Sequence, residues 1–80
     1  MRLPRDITGE GLAKRLKRVG YAQTRQTGSH IRLTTLAPSQ HHVTVPYHDP
    51  LKIGTLAAIL SEVAVHLRIT KEELAAKLFD

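Results

Sequence analysis

The sequence predicts an α+β fold, α-β-β-β-α followed by a short C-terminal helix, with a three-stranded antiparallel sheet covered on one face by helices. Three observations predict it. A helix-period apolar stripe, Leu12, Leu16 and Val19, runs between a capping residue, Thr8, and a glycine, Gly20. Segments of strand composition, broken by short turns, fill residues 21 to 47. A second, more apolar stripe, Leu56, Ile59, Leu60 and Val63, then supplies a helix able to cover a small sheet.

Each element has a local reason. Thr8 is placed to cap a first helix that runs to Val19, and Gly20 stands where a left-handed residue ends a helix. Residues 21–25 read as a short strand, Gln26-Thr27-Gly28 as a turn, and 29–36 as a second strand. Pro38 lies in the turn Ala37–Gln40 that follows. In the third strand, 41–47, Val43 and Val45 alternate with His42 and Thr44 until Pro46, which cannot donate to a ladder. After a loop, Gly54 is expected to supply a tight turn that delivers Thr55 as the cap of a second helix through about Val65. Thr70 and Glu73 form the pattern of a capping box, which opens the third helix.

Composition narrows the function classes. Eighty residues are read as one domain, residues 1–80. The chain has no cysteine, which excludes disulfides and thiolate zinc sites and suits a reducing compartment. No apolar run approaches the roughly 20 residues of a membrane span, and the charged N-terminus lacks the apolar core of a signal peptide. A cytoplasmic protein with no membrane partner is expected.

Charge is separated along the chain. Residues 1–34 carry eight basic residues (Arg2, Arg5, Lys14, Arg15, Lys17, Arg18, Arg25 and Arg32) against Asp6 and Glu10, a balance of +6. Residues 35–80 carry four basic and five acidic residues, a balance of −1. Lys14, Lys17 and Arg18 fall on the helix arc opposite the apolar stripe. Such a distribution suits a phosphate-bearing partner bound in a salt-dependent way; a solvated helix face has the same pattern. Tyr21, Tyr47 and Phe79 are the only aromatics besides the histidines, too few for a base-stacking sheet.

Within the basic half, Gly28-Ser29-His30 places an imidazole at the head of the second strand. Histidine both accepts and donates a proton near neutral pH. Ile31 and Leu33 are expected to face the core, so His30, Arg32 and Thr34 face away from it, with His30 and Arg32 about 7 Å apart. His30 is therefore expected to be accessible. His41, His42 and His66 are expected at the surface or in loops. His41 and His42 are neighbours on a strand, point to opposite faces and cannot both ligate one metal without a bulge. Tyr21 and Tyr47 read as packing residues with wet hydroxyls. Neither a metal nor any other cofactor is expected.

Three fragments in this order, the helix ending KRVGY, then RQTGSHIRL, then VTVPYHDPLKIGTLAAIL, resemble the HicA (YcfA-like) family of small bacterial toxins. The resemblance extends from about Gly9 to Leu78; Ile31 departs from the residue types usual after the GSH motif. It implies a fold similar to the double-stranded RNA-binding domain, an mRNA interferase activity within a type II toxin–antitoxin module, and a HicB-like antitoxin as partner. The family's catalytic histidine, that of its GSH motif, matches His30, and the glycine of the motif matches Gly28. The histidine of the VP-x-H pattern matches His48, with a structural or supporting role.

Elementary chemistry agrees with that expectation. RNA carries its own nucleophile, the 2′-hydroxyl, so cleavage needs a base for its proton and cations for the charge that grows on phosphorus. An imidazole can contribute roughly 10²- to 10⁴-fold as general acid or base. Preorganised cations can add about 10² to 10³ each. Arg25 and Arg32 are candidates for that second role or for positioning phosphate alone, and Lys52, ahead of a helix N-terminus, is a further phosphate contact. The RNA-binding set read from the sequence is thus Lys14, Lys17, Arg18, Arg25, Arg32 and Lys52, with His30 catalytic. Two other readings use the same residues. A non-catalytic RNA-binding module needs the cations but not His30. A DNA-binding fragment needs base-reading polar residues on the second helix, which offers mainly Ser61 and Glu62.

Overall fold

The computed structural model describes residues 3–80, so Arg2, one of the N-terminal cations, lies outside the described residues. The chain runs α1 (Gly9–Leu16), a 3₁₀ turn (Lys17–Val19), β1 (Ala22–Thr27), β2 (His30–Thr35), β3 (His41–Pro46), α2 (Ile53–Leu67) and α3 (Lys71–Phe79). The strands form one antiparallel sheet in the order β1-β2-β3. This is the α+β layout expected from the sequence.

The first helix starts on its expected signal, but α1 ends at Leu16, short of Val19, and the last turn before Gly20, Lys17–Val19, tightens to 3₁₀. The Thr8 hydroxyl accepts from the Gly11 amide at 2.9 Å. At the other end Gly20 takes a left-handed φ of 98°, and the Tyr21 amide reaches back to the Leu16 carbonyl at 3.2 Å. Leu12, Ala13 and Leu16 are buried against the sheet. Their counterparts on its inner face are Ile31, Leu33, Val43 and Val45, with Leu56, Leu60 and Val63 of α2 completing the layer. The period-two expectation for β2 holds: Ile31, Leu33 and Thr35 are buried, and His30 and Arg32 are exposed.

A two-residue loop, Gly28-Ser29, joins β1 to β2, with Thr27 paired to His30. Gly28 has φ 53°, the positive value that the first position of a type II′ turn requires. The loop fixes the strand register, and a slip of one residue would turn His30 to the other face. β1 runs two residues further toward this turn than expected, to Thr27, because pairing with β2 continues to the loop itself.

The entrance to α2 departs from the expectation. The helix begins at Ile53, its N-cap is Lys52 with no side-chain cap bond, and Thr55 lies inside its first turn. Gly54 is likewise helical there and not among the residues of positive φ. The start is fixed upstream by tertiary contacts: Leu51 is buried, and its amide donates to the Ile7 carbonyl at 2.8 Å. The helix also runs past Val65 to Leu67 and ends on Arg68 in a left-handed conformation, φ 60°. The capping box of α3 is present with both bonds, Thr70 Oγ1 from the Glu73 amide at 3.0 Å and Glu73 Oε1 from the Thr70 amide at 3.1 Å.

α3 turns back onto α1 and buries Leu74, Ala75 and Leu78. Among the described residues no single helix is long and apolar enough to cross a membrane.

Candidate functional site

The sheet has two unlike faces. Residues paired across strands share a face, so the ladder places Thr27, His30 and Pro46 in one row of the outer face, Arg25, Arg32 and Thr44 in the next, and Ala22, Thr34 and His42 beyond. None of the three strands contains an aspartate or glutamate. The outer face therefore combines exposed arginines, imidazoles and threonine hydroxyls with no carboxylate of its own.

A β-bulge decides which side chains meet there. Gln23 pairs with Leu33, whereas Arg25 pairs with Arg32, so Thr24 is the extra residue. Simple alternation from Ala22 would put Arg25 and Thr27 on the inner face. The bulge returns both to the side of His30. Arg25 and Arg32 then stand directly opposite, both exposed, and neither has a carboxylate partner among the described residues.

His30 is exposed at the head of the central strand, directly opposite Pro46. The Tyr47 amide donates to the Ser29 carbonyl, which makes His30–Pro46 a pair of the closely spaced, non-hydrogen-bonded kind. Proline is tolerated because its missing N–H would have pointed away from β2, on an edge strand. Gly9 lets α1 sit against this exit: its amide donates to the His48 carbonyl at 2.9 Å, and a Cβ at Gly9 would lie 1.9 Å from the Pro46 carbonyl oxygen.

The other predicted RNA contacts belong to the helix layer and not to the face that carries His30. Lys14 and Lys17 are exposed on α1 and the turn after it, with Lys14 Nζ 3.9 Å from Glu10. Arg18 is engaged elsewhere: its Nη1 donates to the Leu78 carbonyl at 3.0 Å, and Arg15 Nη1 donates to the same oxygen at 2.9 Å. Arg15 also lies over the Phe79 ring, 5.5 Å from its centre. Two guanidinium groups thus satisfy a carbonyl at the C-terminal end of α3, where cations also suit the helix dipole. Lys52 is exposed at the N-cap of α2.

Two histidines and both tyrosines differ from their expected surroundings. His41, at the head of β3, is half-buried between Tyr21, whose hydroxyl is 2.7 Å from its Nδ1, and Glu62, whose carboxylate is 3.1 Å from its Nε2. His66 of α2 stacks on it at 4.4 Å and bonds the Ser39 carbonyl through Nε2 at 3.1 Å. The two are neither loop residues nor free surface groups, since they tie β3 and the β2–β3 loop to α2. Tyr21 is buried and its hydroxyl is bonded, not wet; burial first, and the nearby Glu62 carboxylate second, push its phenol up to about 12. The Tyr47 ring is exposed instead of packed, and its hydroxyl donates to Glu10 at 3.0 Å, which raises the phenol above its ordinary value. His42 points to the outer face, opposite to His41, with Nδ1 2.7 Å from the Thr34 hydroxyl. The sequence did not single out its place opposite Thr34 on the exposed face, although the alternation of β3 carried the signal.

Chemically, the outer face can bind an anion across Arg25 and Arg32 with an imidazole at hand. Among the described residues no three His, Asp or Glu side chains are grouped to hold a metal ion. The sequence model of the family described as HicA toxin of bacterial toxin-antitoxin matches residues 9–65, from the first residue of α1 through the whole sheet and most of α2. No curated protein and no solved structure matches the chain. The matched span includes the Gly28-Ser29-His30 turn and every residue of the outer face, and the chain belongs to the HicA toxin family, as the toxin of a toxin–antitoxin pair.

Proposed function

We propose that the toxin is a metal-independent endoribonuclease that cleaves mRNA with His30 as its acid–base group and is neutralised by a HicB-like antitoxin. The observation that carries this reading is the shared outer face: an exposed imidazole, two arginines with no carboxylate partner among the described residues, and no carboxylate on the strands. A phosphate diester seated across Arg25 and Arg32 has its charge compensated by two exposed guanidinium groups that are in no ion pair among the described residues. His30, one row away, then takes the proton of the 2′-hydroxyl as that oxygen attacks the adjacent phosphorus. The O2′–P bond forms, the P–O5′ bond breaks, the leaving oxygen takes a proton from solvent water, and His30 returns its proton to solvent. The products carry a 2′,3′-cyclic phosphate and a 5′-hydroxyl, and the reaction consumes no cofactor.

The antitoxin has the complementary task. A partner that lays acidic residues over His30, Arg25 and Arg32 blocks the substrate and compensates the exposed positive charge in one step.

The test is end-group analysis together with one substitution. Wild-type protein in EDTA should yield cyclic phosphate and 5′-hydroxyl ends, and an RNA with a 2′-deoxy sugar at the cut position should resist. His30→Ala should abolish cleavage with an unchanged circular dichroism spectrum while retaining RNA binding. Products with 5′-phosphate ends and loss of activity in EDTA would assign the attack to a metal-activated water. If no RNA is cut by the wild type and His30→Ala binds RNA equally well, the protein is a binding module and not a nuclease.

A further inference from the structure

At the end of the outer face away from the His30 turn, a groove of about 460 Å³ opens between Ala22, Thr24, Thr34 and Leu36. We propose that this groove is a subsite for one unpaired base of the bound RNA strand, next to the cleaved bond, and that Thr24, Thr34 and Leu36 select that base. The inference rests on the reading of the outer face as the RNA surface.

Three features point to a base rather than to another occupant. The first is continuity. Thr34 lies four residues along β2 from His30, about 13 Å of strand rise, with the Arg25–Arg32 row between them. An RNA strand with its phosphate on the arginines and its scissile bond at His30 passes over the groove. The second is shape and polarity. Leu36 is 76% exposed, a large aliphatic side chain directly after the buried Thr35, and its apolar surface can lie against the face of a base. Thr24 and Thr34 stand beside it with hydroxyls that can meet a base edge.

The third feature is the way those hydroxyls are held. Thr24 is the bulged residue, and its Oγ1 lies 3.4 Å from the Arg32 carbonyl and 3.1 Å from Thr34 Oγ1. Thr34 Oγ1 lies 2.7 Å from His42 Nδ1. A hydroxyl has one proton and two acceptor positions. With the Thr34 proton on His42 and the Thr24 proton directed to the Arg32 carbonyl or to Thr34, the oxygens keep unused acceptor positions. The network thus holds two hydroxyl groups in place with spare hydrogen-bonding positions for a base edge, and it ties the geometry of the groove to the strand that carries Arg32. An acidic peptide would find no cation inside the groove itself, since Arg25 and Arg32 lie outside it.

Abasic scanning of an uncleavable RNA tests this. A 2′-O-methyl oligonucleotide that contains the preferred cleavage sequence is bound by wild-type, Leu36→Ser and Thr34→Val proteins, with an abasic residue moved through successive positions. For the wild type, one position adjacent to the cut bond should weaken binding by about fivefold or more, the low end of a base contact. In the two variants that positional effect should disappear, and with cleavable RNA the distribution of cut sites should broaden. Matching circular dichroism spectra and melting temperatures exclude misfolding as the cause. Equal abasic profiles in wild type and both variants overturn the subsite. So does a variant that loses affinity for the antitoxin alone, because the occupant is then a polypeptide. If the protein cuts no RNA, weaker binding of single-stranded RNA by Leu36→Ser than by the wild type keeps a base contact at the groove and removes the nuclease reading.

Discussion

Arg25 and Arg32 face each other directly across the β1–β2 ladder, both exposed and without a carboxylate partner among the described residues. Like charges opposed across strands destabilise a sheet by roughly 0.2–1 kcal/mol. On the proposed function, the pair is kept for binding phosphate at some expense to stability. Replacing either residue by Thr should leave the urea midpoint unchanged or raise it, by up to about 1 kcal/mol in stability. RNA affinity should fall together with the salt slope, by about one unit for each phosphate that is no longer neutralised. A variant that loses stability would mean that the pair supports the fold and is not kept as an anion site.

The cations of the first helix should separate into two groups. Arg18→Ala removes a bond to the Leu78 carbonyl, and Arg15→Ala removes a second bond to that oxygen together with the packing on Phe79. Each should cost about 1 kcal/mol, with Arg15 the larger of the two. Lys14→Ala and Lys17→Ala should change stability by no more than about 0.5 kcal/mol. Urea denaturation of the four single variants reads the difference, and equal losses in all four would contradict the role given to the guanidinium groups.

Gly9→Ala should be strongly destabilising. The added methyl group meets a backbone carbonyl, that of Pro46, at 1.9 Å, and backbone cannot swing aside as a long side chain can. A loss of about 2 kcal/mol or more is expected, in the range of overpacked sites. Gly54→Ala is the control, since no atom lies within 4 Å of its added Cβ and the residue sits in a helix, where Ala is favoured. Thermal melts of the two variants should move in opposite directions.

Tyr21→Phe tests the buried bond to His41. At neutral pH it should cost about 1 kcal/mol, because His41 Nδ1 loses its partner. The alkaline limb tests the same group with a definite sign. With the folded phenol pushed up to about 12, the unfolded chain ionises first as pH rises past the ordinary value of 10.0. The contribution of Tyr21 is thus complete below pH 10 and is lost as pH rises through about 12, a swing of roughly 1–2 kcal/mol once solvent near the hydroxyl is allowed for. Stability measured by denaturation from pH 9 to 12 should fall more steeply in the wild type than in Tyr21→Phe. Parallel curves would place the ionisation elsewhere.

Much of the fold was legible because its signals are local. Thr8 and Gly20 bound the first helix, Thr70 and Glu73 open the last, and the alternation of Ile31 and Leu33 with His30 and Arg32 orients β2. The start of α2 was not legible. Thr55 has the chemistry of a cap, but Leu51 is drawn into the core and its amide is bonded to the Ile7 carbonyl, so the chain has already entered the helix at Ile53.

By itself the sequence determined the helix–sheet order, the inward and outward sides of β2, and His30 as an exposed imidazole in a basic half of the chain. These follow from capping chemistry and from residue periods of 3.6 and 2. Only the tertiary structure decided which cations stand with it. The bulge at Thr24 turns Arg25 to the face of His30, while Arg18 is drawn to Leu78, sixty residues further along the chain. Charge in a sequence has no direction until packing assigns one: a single extra residue in a strand reverses a side chain, and a carbonyl left free at a helix end captures a guanidinium that the sequence offers equally to solvent or to phosphate.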